Sequence, residues 1–422
     1  MFEKLKDVIF DNPLFPEMEA PSNARKLAWL MAIATVGSVC GFLPLWLQTV
    51  YFIGTSLSFL YLLSNGIQIN GRFMALYIVL ILNVLILPID PIFNSKMRLL
   101  LFTVVTMVVS SAVTTPTAVT FRYLLFKDII LLCSVLVPAS FLCRFVGLNF
   151  VRASVFDLSV DQQIETVGLF GGLFSSSMVL GLIAAPVAIT FFFAYQSFGQ
   201  KKIYILLFIT STVACFFSAS RAALLSLVVP IAFALISNKG REGAQKSTRN
   251  ILIISLLAII PFADTVVSGV VQKQKNNVEM GSTFGSRDDK LTCRWAEFTS
   301  SPILGVGFAS VDPNGKDEYG SDGTIEPGSS HVAVLSMTGL LGSICYLSIL
   351  IYAYWGLKNE DDTIARYRKT LLIALLLHAC WEGYVFSGGG FMCLLYWIVI
   401  GQAIDYKYIK KYGLIEDEYY NV

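Results

Sequence analysis

The 422 residues are 55% hydrophobic and 14% charged, with 31 basic against 29 acidic side chains and a formal net charge of +2. A water-soluble globular chain has no core large enough to hide that much apolar surface, and so balanced a charge speaks for neither nucleic acid nor an acidic partner. The eight cysteines form no CxxC pair and no metal-ligand spacing, so no metal site is expected.

Apolar runs of roughly 17–25 residues, the length that crosses a hydrocarbon core as a helix, recur along almost the whole chain. They predict twelve spans, at 26–43, 45–64, 73–90, 98–115, 124–145, 171–196, 203–219, 222–237, 250–268, 331–355, 370–387 and 389–405. The expected fold is an all-α polytopic membrane protein, a single membrane domain over 1–422 with one large external loop at 268–330. Lys4, Lys6, Arg25 and Lys26 precede the first span with no cleavage site after a short apolar core, so that span is expected to stay in the mature chain. Basic residues in short loops favour the cytoplasm. Twelve spans with the N-terminus inside put Lys201 and Lys202, Lys239 to Arg249, Arg366 to Lys369 and Lys407 to Lys411 all on the cytoplasmic side, with both termini. Only Lys96 and Arg98, between the third and fourth spans, run against this pattern.

Two external segments stand out. The first, 149–168, carries Arg152, Asp157, Asp161 and Glu165; the second is the long loop. Between the seventh and eighth spans lies Ser218-Ala219-Ser220-Arg221-Ala222-Ala223-Leu224, where Arg221 interrupts a long apolar stretch. An arginine at membrane depth is costly unless it is paired or faces a polar cavity; the alternative is that Arg221 marks a tight outer turn and reaches back to the interface.

In the long loop, Ser286-Arg287-Asp288-Asp289 fits a capping box, with a helix expected over 287–299. Arg287 and Arg294 then share a face about two turns apart, either as anion ligands or as solvated partners of Asp288, Asp289 and Glu297. Ser300-Ser301-Pro302 ends the helix, and Ile303-Leu304-Gly305-Val306-Gly307-Phe308 reads as a turn packed back on protein or membrane. Glu326-Pro327-Gly328-Ser329-Ser330 closes the loop, with a serine cap that places His331 in the first turn of the next span. Near the outer end of the eleventh span, His378 and Glu382 are four residues apart and are expected on one helix face, as a catalytic pair or as polar glue between helices.

Arg221, Arg287, Arg294 and His331 are thus all expected at one membrane face. Guanidinium groups grip phosphate oxygens bidentately and keep their charge, which suits a lipid diphosphate and the charge that grows on it as it leaves. No Gly-rich phosphate loop, GxSxG elbow or HExxH motif is present, so ATP hydrolysis, serine hydrolysis and zinc proteolysis have no support.

The pattern resembles the O-antigen ligase and polymerase superfamily, membrane glycosyltransferases of the GT-C type. The resemblance rests on Ser220 to Leu224, Ser286-Arg287, Arg294 to Phe298, Ser301 to Phe308, Glu326 to Ser330, Thr338 to Gly342, His378 to Gly383 and Trp397 to Gly401, covering roughly residues 170–405. Where the ligases usually show histidine followed by Asn or Ser, this chain has His331-Val332. The resemblance implies that Arg221, Arg287 or Arg294, and His331 contact the diphosphate or the reacting sugars; His331 and Glu382 are the candidates to take the acceptor proton. It implies a metal-independent polysaccharide polymerase of the inner membrane, without cofactor, acting on an undecaprenyl diphosphate-linked oligosaccharide in the lipid bilayer. A chain-length regulator and a flippase are the further partners it suggests, and no nucleic acid. Its rivals are a ligase that transfers glycan to lipid A core and a lipid-linked oligosaccharide transporter. A transporter tends to show paired half-repeats and broken helices at the bilayer midplane rather than polar residues gathered at one face.

Overall fold

The computed structural model describes residues 12–152, 170–197, 202–236, 287–312, 323, 325, 327–358, 360 and 362–411. Among them every named element is helical, and isolated bridges pair Cys40 with Phe174 and Ile69 with Val113. The helices are α1 Ser22–Gly37, α2 Leu47–Ser64, α3 Gly71–Ile86, α4 Ser95–Val109, α5 Pro116–Cys143, α6 Ser177–Ser197, α7 Lys202–Phe217 and α8 Arg221–Ile236. After the undescribed part of the long loop come α9 Arg287–Ser300, α10 Ser330–Leu357, α11 Thr363–Ala379 and α12 Phe391–Lys411. The all-helical expectation holds. The expected ninth span, 250–268, lies outside the described residues; every other expected span coincides with a helix, and α9 falls at the helix expected in the loop.

Local signals account for several starts. The Asn70 side chain accepts from the Arg72 amide, Thr115 from the Ala118 amide with Pro116 at the first helical position, and Asp362 from the Ala365 amide. Among the described residues five stretches are long and apolar enough to cross a membrane: Leu47–Ser64, Pro91–Val109, Pro116–Cys143, Ser177–Gln196 and Ser330–Leu357. Gly71–Ile86, Lys202–Phe217 and Arg221–Ile236 are shorter apolar helices. Large apolar side chains point outward on these elements, among them Leu60, Ile78, Leu85, Leu100, Val228 and Leu347. A surface of that kind suits a hydrocarbon solvent.

Almost all of α6 is buried, and α5, α7, α8 and α11 pack around it. Close approach uses small residues: a Cβ on Gly181 of α6 would lie 2.7 Å from Ser218 Oγ and 2.8 Å from Ala223 Cβ, so the turn between α7 and α8 is pressed onto α6. Thr190 Oγ1 and Tyr367 Oη are 2.8 Å apart, which joins the far part of α6 to the early part of α11. Arg368 donates to Gln402 O of late α12 at 3.1 Å and Trp397 Nε1 of early α12 donates to Val385 O beyond α11 at 2.9 Å, so α11 and α12 run antiparallel. Gly172, just before α6, packs on Ser140 near the end of α5, whose early Arg122 pairs with Asp405 late in α12. The start of α6 and the end of α11 therefore lie at the same end of the bundle.

At the opposite end, Arg122 of α5 and Asp405 of α12 form a buried bidentate pair, with Nε to Oδ2 at 2.8 Å and Nη2 to Oδ1 at 3.1 Å. Ser111 Oγ donates to the same carboxylate at 2.5 Å. From Phe391 to Asp405 along α12 is about 21 Å at ~1.5 Å per residue, so this pair is far from the end where α10 and α11 meet.

Candidate active site at one end of the helix bundle

The expected tenth span is not one continuous helix. Gly339 has φ 61° and ψ −162°, which breaks α10 in its first half. The broken helix leaves carbonyls to be satisfied, and the segment 301–308 satisfies them. Val306 N donates to Ser336 O at 2.9 Å and Gly307 N to Met337 O at 3.1 Å, while Leu340 N donates to Pro302 O at 2.8 Å. A Cβ on Gly339 would lie 2.3 Å from Ile303 O, and one on Gly305 would lie 2.4 Å from Met337 C. Asn83 of α3 completes the knot: its amide donates to Leu304 O at 2.6 Å and Met337 O at 3.2 Å, and its oxygen accepts from Phe308 N at 2.5 Å. The turn over 303–308 is thus packed on protein, inside the kink of α10.

Arg294 of α9 is fully buried and holds this loop. Its Nη1 donates to Glu297 Oε2 at 2.7 Å, and Glu297 Oε1 accepts from Asp312 N at 3.0 Å. Of the two readings of Arg294, the pairing with Glu297 is present, and it is buried rather than solvated. Arg287 is the first residue of α9. Ser286, the expected cap of that helix, lies outside the described residues, as does Glu326.

Ser329 is the N-cap residue of α10 but makes no side-chain capping hydrogen bond, and the Ser330 side chain is used elsewhere. The Ser330 amide and hydroxyl both donate to the Glu382 carbonyl, at 3.1 and 2.6 Å, and its Oγ accepts from Tyr384 N at 2.9 Å. This clamp fixes the turn after α11 against the start of α10. It also corrects one expectation: α11 ends at Ala379, so His378 and Glu382 do not share a helix face. Glu382 sits in the following turn, buried, where Gly383 packs so tightly that its Cβ would meet Pro327 Cβ at 2.5 Å.

His331 does fall in the first turn of α10. Its Nε2 lies 3.1 Å from Leu376 O and its Nδ1 3.0 Å from Tyr346 Oη. A carbonyl only accepts, so in the neutral ring Nε2 carries the proton and Nδ1 accepts from the tyrosine. Tyr346 Oη is in turn hydrogen-bonded to Tyr396 Oη, giving a chain Tyr396–Tyr346–His331 across α12 and α10. His378 is buried with its Nδ1 3.2 Å from Tyr384 Oη.

Arg221 is the first residue of α8 and is exposed. Ala219 before it has φ 48°, and Ser220 Oγ accepts from Ala223 N at 3.3 Å, so the Ser-Ala-Ser turn both reverses the chain and caps α8. Through the contact with Gly181, Arg221 lies at the same end of the bundle as His331 and Glu382. The structure therefore brings Arg221, Arg294, His331 and Glu382 to one end, with Arg294 turned inward.

Beside them is a cavity of ≈ 600 Å³ whose lining includes Phe52, Arg98, Leu101, Pro327, Ser330 and Tyr384. Arg98 Nη2 donates to Gly323 O at 2.8 Å. Sequence reasoning did not place Arg98 in a site and noted only that it runs against the orientation rule. Among the described residues no three His, Cys, Asp or Glu side chains gather as a metal-binding set.

The fold and this end of the bundle define a multi-pass membrane protein with polar and basic groups collected at one face. Residues 205–350, from α7 to α10, match the O-antigen ligase family. The match is narrower than the stretch over which the resemblance was drawn; it takes in Arg221, Arg287, Arg294 and His331 and leaves out Glu382 and Arg98. No curated protein matches the chain.

Proposed function

We propose that this protein is a polysaccharide polymerase of the GT-C type. It transfers a growing glycan from undecaprenyl diphosphate to the terminal sugar hydroxyl of an incoming lipid-linked repeat unit, on the outer face of the inner membrane. The observation that carries this reading is the gathering of Arg221, His331 and Glu382 at one end of an apolar helix bundle, within and beside the stretch that matches the O-antigen ligase family.

In this reaction the acceptor oxygen attacks the anomeric carbon of the donor glycan, the bond from that carbon to the diphosphate oxygen breaks, and the diphosphate leaves on its lipid. Arg221 stabilises the departing charge, and Arg287 at the start of α9 is the second candidate for that role. The hydroxyl proton passes to His331 or to the Glu382 carboxylate. At His331 the acceptor would be Nδ1, once the Tyr346 hydroxyl turns away. Arg294, held by Glu297 and turned inward, acts in this reading by fixing the loop over 308–312. The leaving group is already activated and arginine supplies the positive charge, so the reaction needs neither nucleotide sugar nor metal.

One observation favours a second reading: the matching family is described as O-antigen ligase. A ligase would run the same chemistry with lipid A core as acceptor. Polymer length on a gel separates the two, in cells lacking the native gene and supplied with the wild type or Arg221→Ala. Collapse of the ladder to a single lipid-borne repeat unit means polymerase, long polymer accumulating on undecaprenyl diphosphate means ligase, and an unchanged ladder removes Arg221 from the site.

A further inference from the structure

A second cavity, of ≈ 220 Å³, lies between the segment that precedes α1, the start of α1 and the flank of α5; its lining includes Glu17, Arg25, Trp29, Leu124, Lys127 and Asp128. Lys127 is five residues beyond Arg122 on α5, about 7.5 Å along the axis, whereas Ser140, which packs on Gly172 beside the start of α6, is about 20 Å further on. The cavity therefore belongs to the end where Arg122 meets Asp405, away from Arg221, His331 and Glu382. We propose that it binds a zwitterionic aminophospholipid, with the phosphate at Arg25 and Lys127, the ammonium at Glu17 and Asp128, and the acyl chains running past Trp29 along the apolar surface of the bundle.

Three observations carry this. The lining holds two cationic and two anionic side chains. A lone anion or a lone cation would meet repulsion there as well as attraction, whereas a headgroup that carries both charges a few atoms apart complements both pairs. These charges are also not spent on one another. Among the described residues no ion pair joins Glu17, Arg25, Lys127 and Asp128, and Arg25 Nη2 donates to Met18 O at 3.0 Å. Lys127 and Asp128 are half-buried on a helix apolar enough to cross a membrane, where charge is costly unless a partner or a ligand meets it. Finally, Trp29 of the lining is exposed, as is Ile33 one turn further along α1, so the rim of the cavity continues into the apolar surface with an indole at its edge, the place such rings take at a membrane interface.

The wall that carries Glu17 is fixed by long-range packing. Leu14, Phe15 and Met18 are buried, the Phe15 ring meets Phe126 and Tyr367 edge-on at 5.8 and 6.0 Å, and Tyr123 Oη donates to Pro16 O at 2.5 Å. These contacts hold Glu17 and the Met18 carbonyl beside α5, and that carbonyl in turn holds the Arg25 guanidinium.

The test is native mass spectrometry of the purified full chain in detergent, titrated with phosphatidylethanolamine, phosphatidylglycerol or phosphatidylcholine of the same acyl chains. Phosphatidylethanolamine is expected to bind saturably and about tenfold or more tighter than either rival. Phosphatidylglycerol lacks the cation, and the quaternary ammonium of phosphatidylcholine has no N–H to give a carboxylate. Asp128→Asn and Glu17→Gln are each expected to narrow that preference, and Lys127→Gln to weaken all three lipids. Glu17 is exposed, so its variant carries the test should Asp128→Asn not purify as a single species. Equal affinity for either rival lipid overturns the proposal, as does a preference that survives both carboxylate substitutions. Free phosphoethanolamine displacing the lipid as effectively as the whole lipid does also overturns it, because the cavity would then take a soluble headgroup rather than a membrane lipid.

Discussion

The two ends of the bundle treat arginine in opposite ways. At one end Arg122 is fully buried and its guanidinium meets the Asp405 carboxylate bidentately, with Ser111 adding a third hydrogen bond. At the other end Arg221 is exposed at the start of α8 and Arg98 lines a cavity of ≈ 600 Å³, in a region where α10 is broken and a loop is threaded into the break. The difference teaches that an arginine in an apolar stretch is not by itself a site. A carboxylate from a distant helix turns Arg122 into a buried structural pair, whereas Arg221 stays exposed at the start of its helix. Arg294 makes the point at the same end as Arg221, since Glu297 ties its buried guanidinium to the fold.

That contrast can be broken at several points. The largest effect is expected from Gly339→Val. A β-branched residue there meets a left-handed φ and the Ile303 carbonyl at once, and no single monodisperse species should survive size-exclusion chromatography. Arg122→Ala leaves the Asp405 carboxylate buried and uncompensated and should cost roughly 3–5 kcal/mol in a reversible unfolding measurement. Replacing both partners, Arg122→Met with Asp405→Leu, should recover most of that loss; if it does not, the pair does more than satisfy itself.

At the end that holds Arg221 the expected signature is reversed. Arg221→Ala should leave the melting temperature unchanged and lower glycan transfer by roughly 100-fold or more, as removal of one stabilising donor does at a developing anion. Arg221→Lys should fall between, because the charge remains and the fork is lost. The smallest effect is expected from Tyr346→Phe, which deletes the donor to His331 Nδ1 and should cost about 1 kcal/mol of stability. A comparison of its pH–rate profile with that of the wild type would show whether the Tyr346 hydrogen bond tunes the proton transfer or only holds the ring.

Hydrophobic run length was enough to specify an all-helical chain and the position of nearly every described helix, because a span must be apolar over its whole length and must satisfy its own backbone. Short motifs likewise placed Arg221 at a helix start, α9 near 287–299 and His331 in a first turn, since capping and turn chemistry act over a few residues. Long-range pairing was decided only in three dimensions. Nothing local told that Arg122 would find Asp405, that 301–308 would occupy the break at Gly339, or that Ser330 would bind the Glu382 carbonyl and end α11 before Glu382 could share a face with His378. Each of these joins residues far apart in the chain, and a sequence read along its length carries the demand for a partner but not the partner's address.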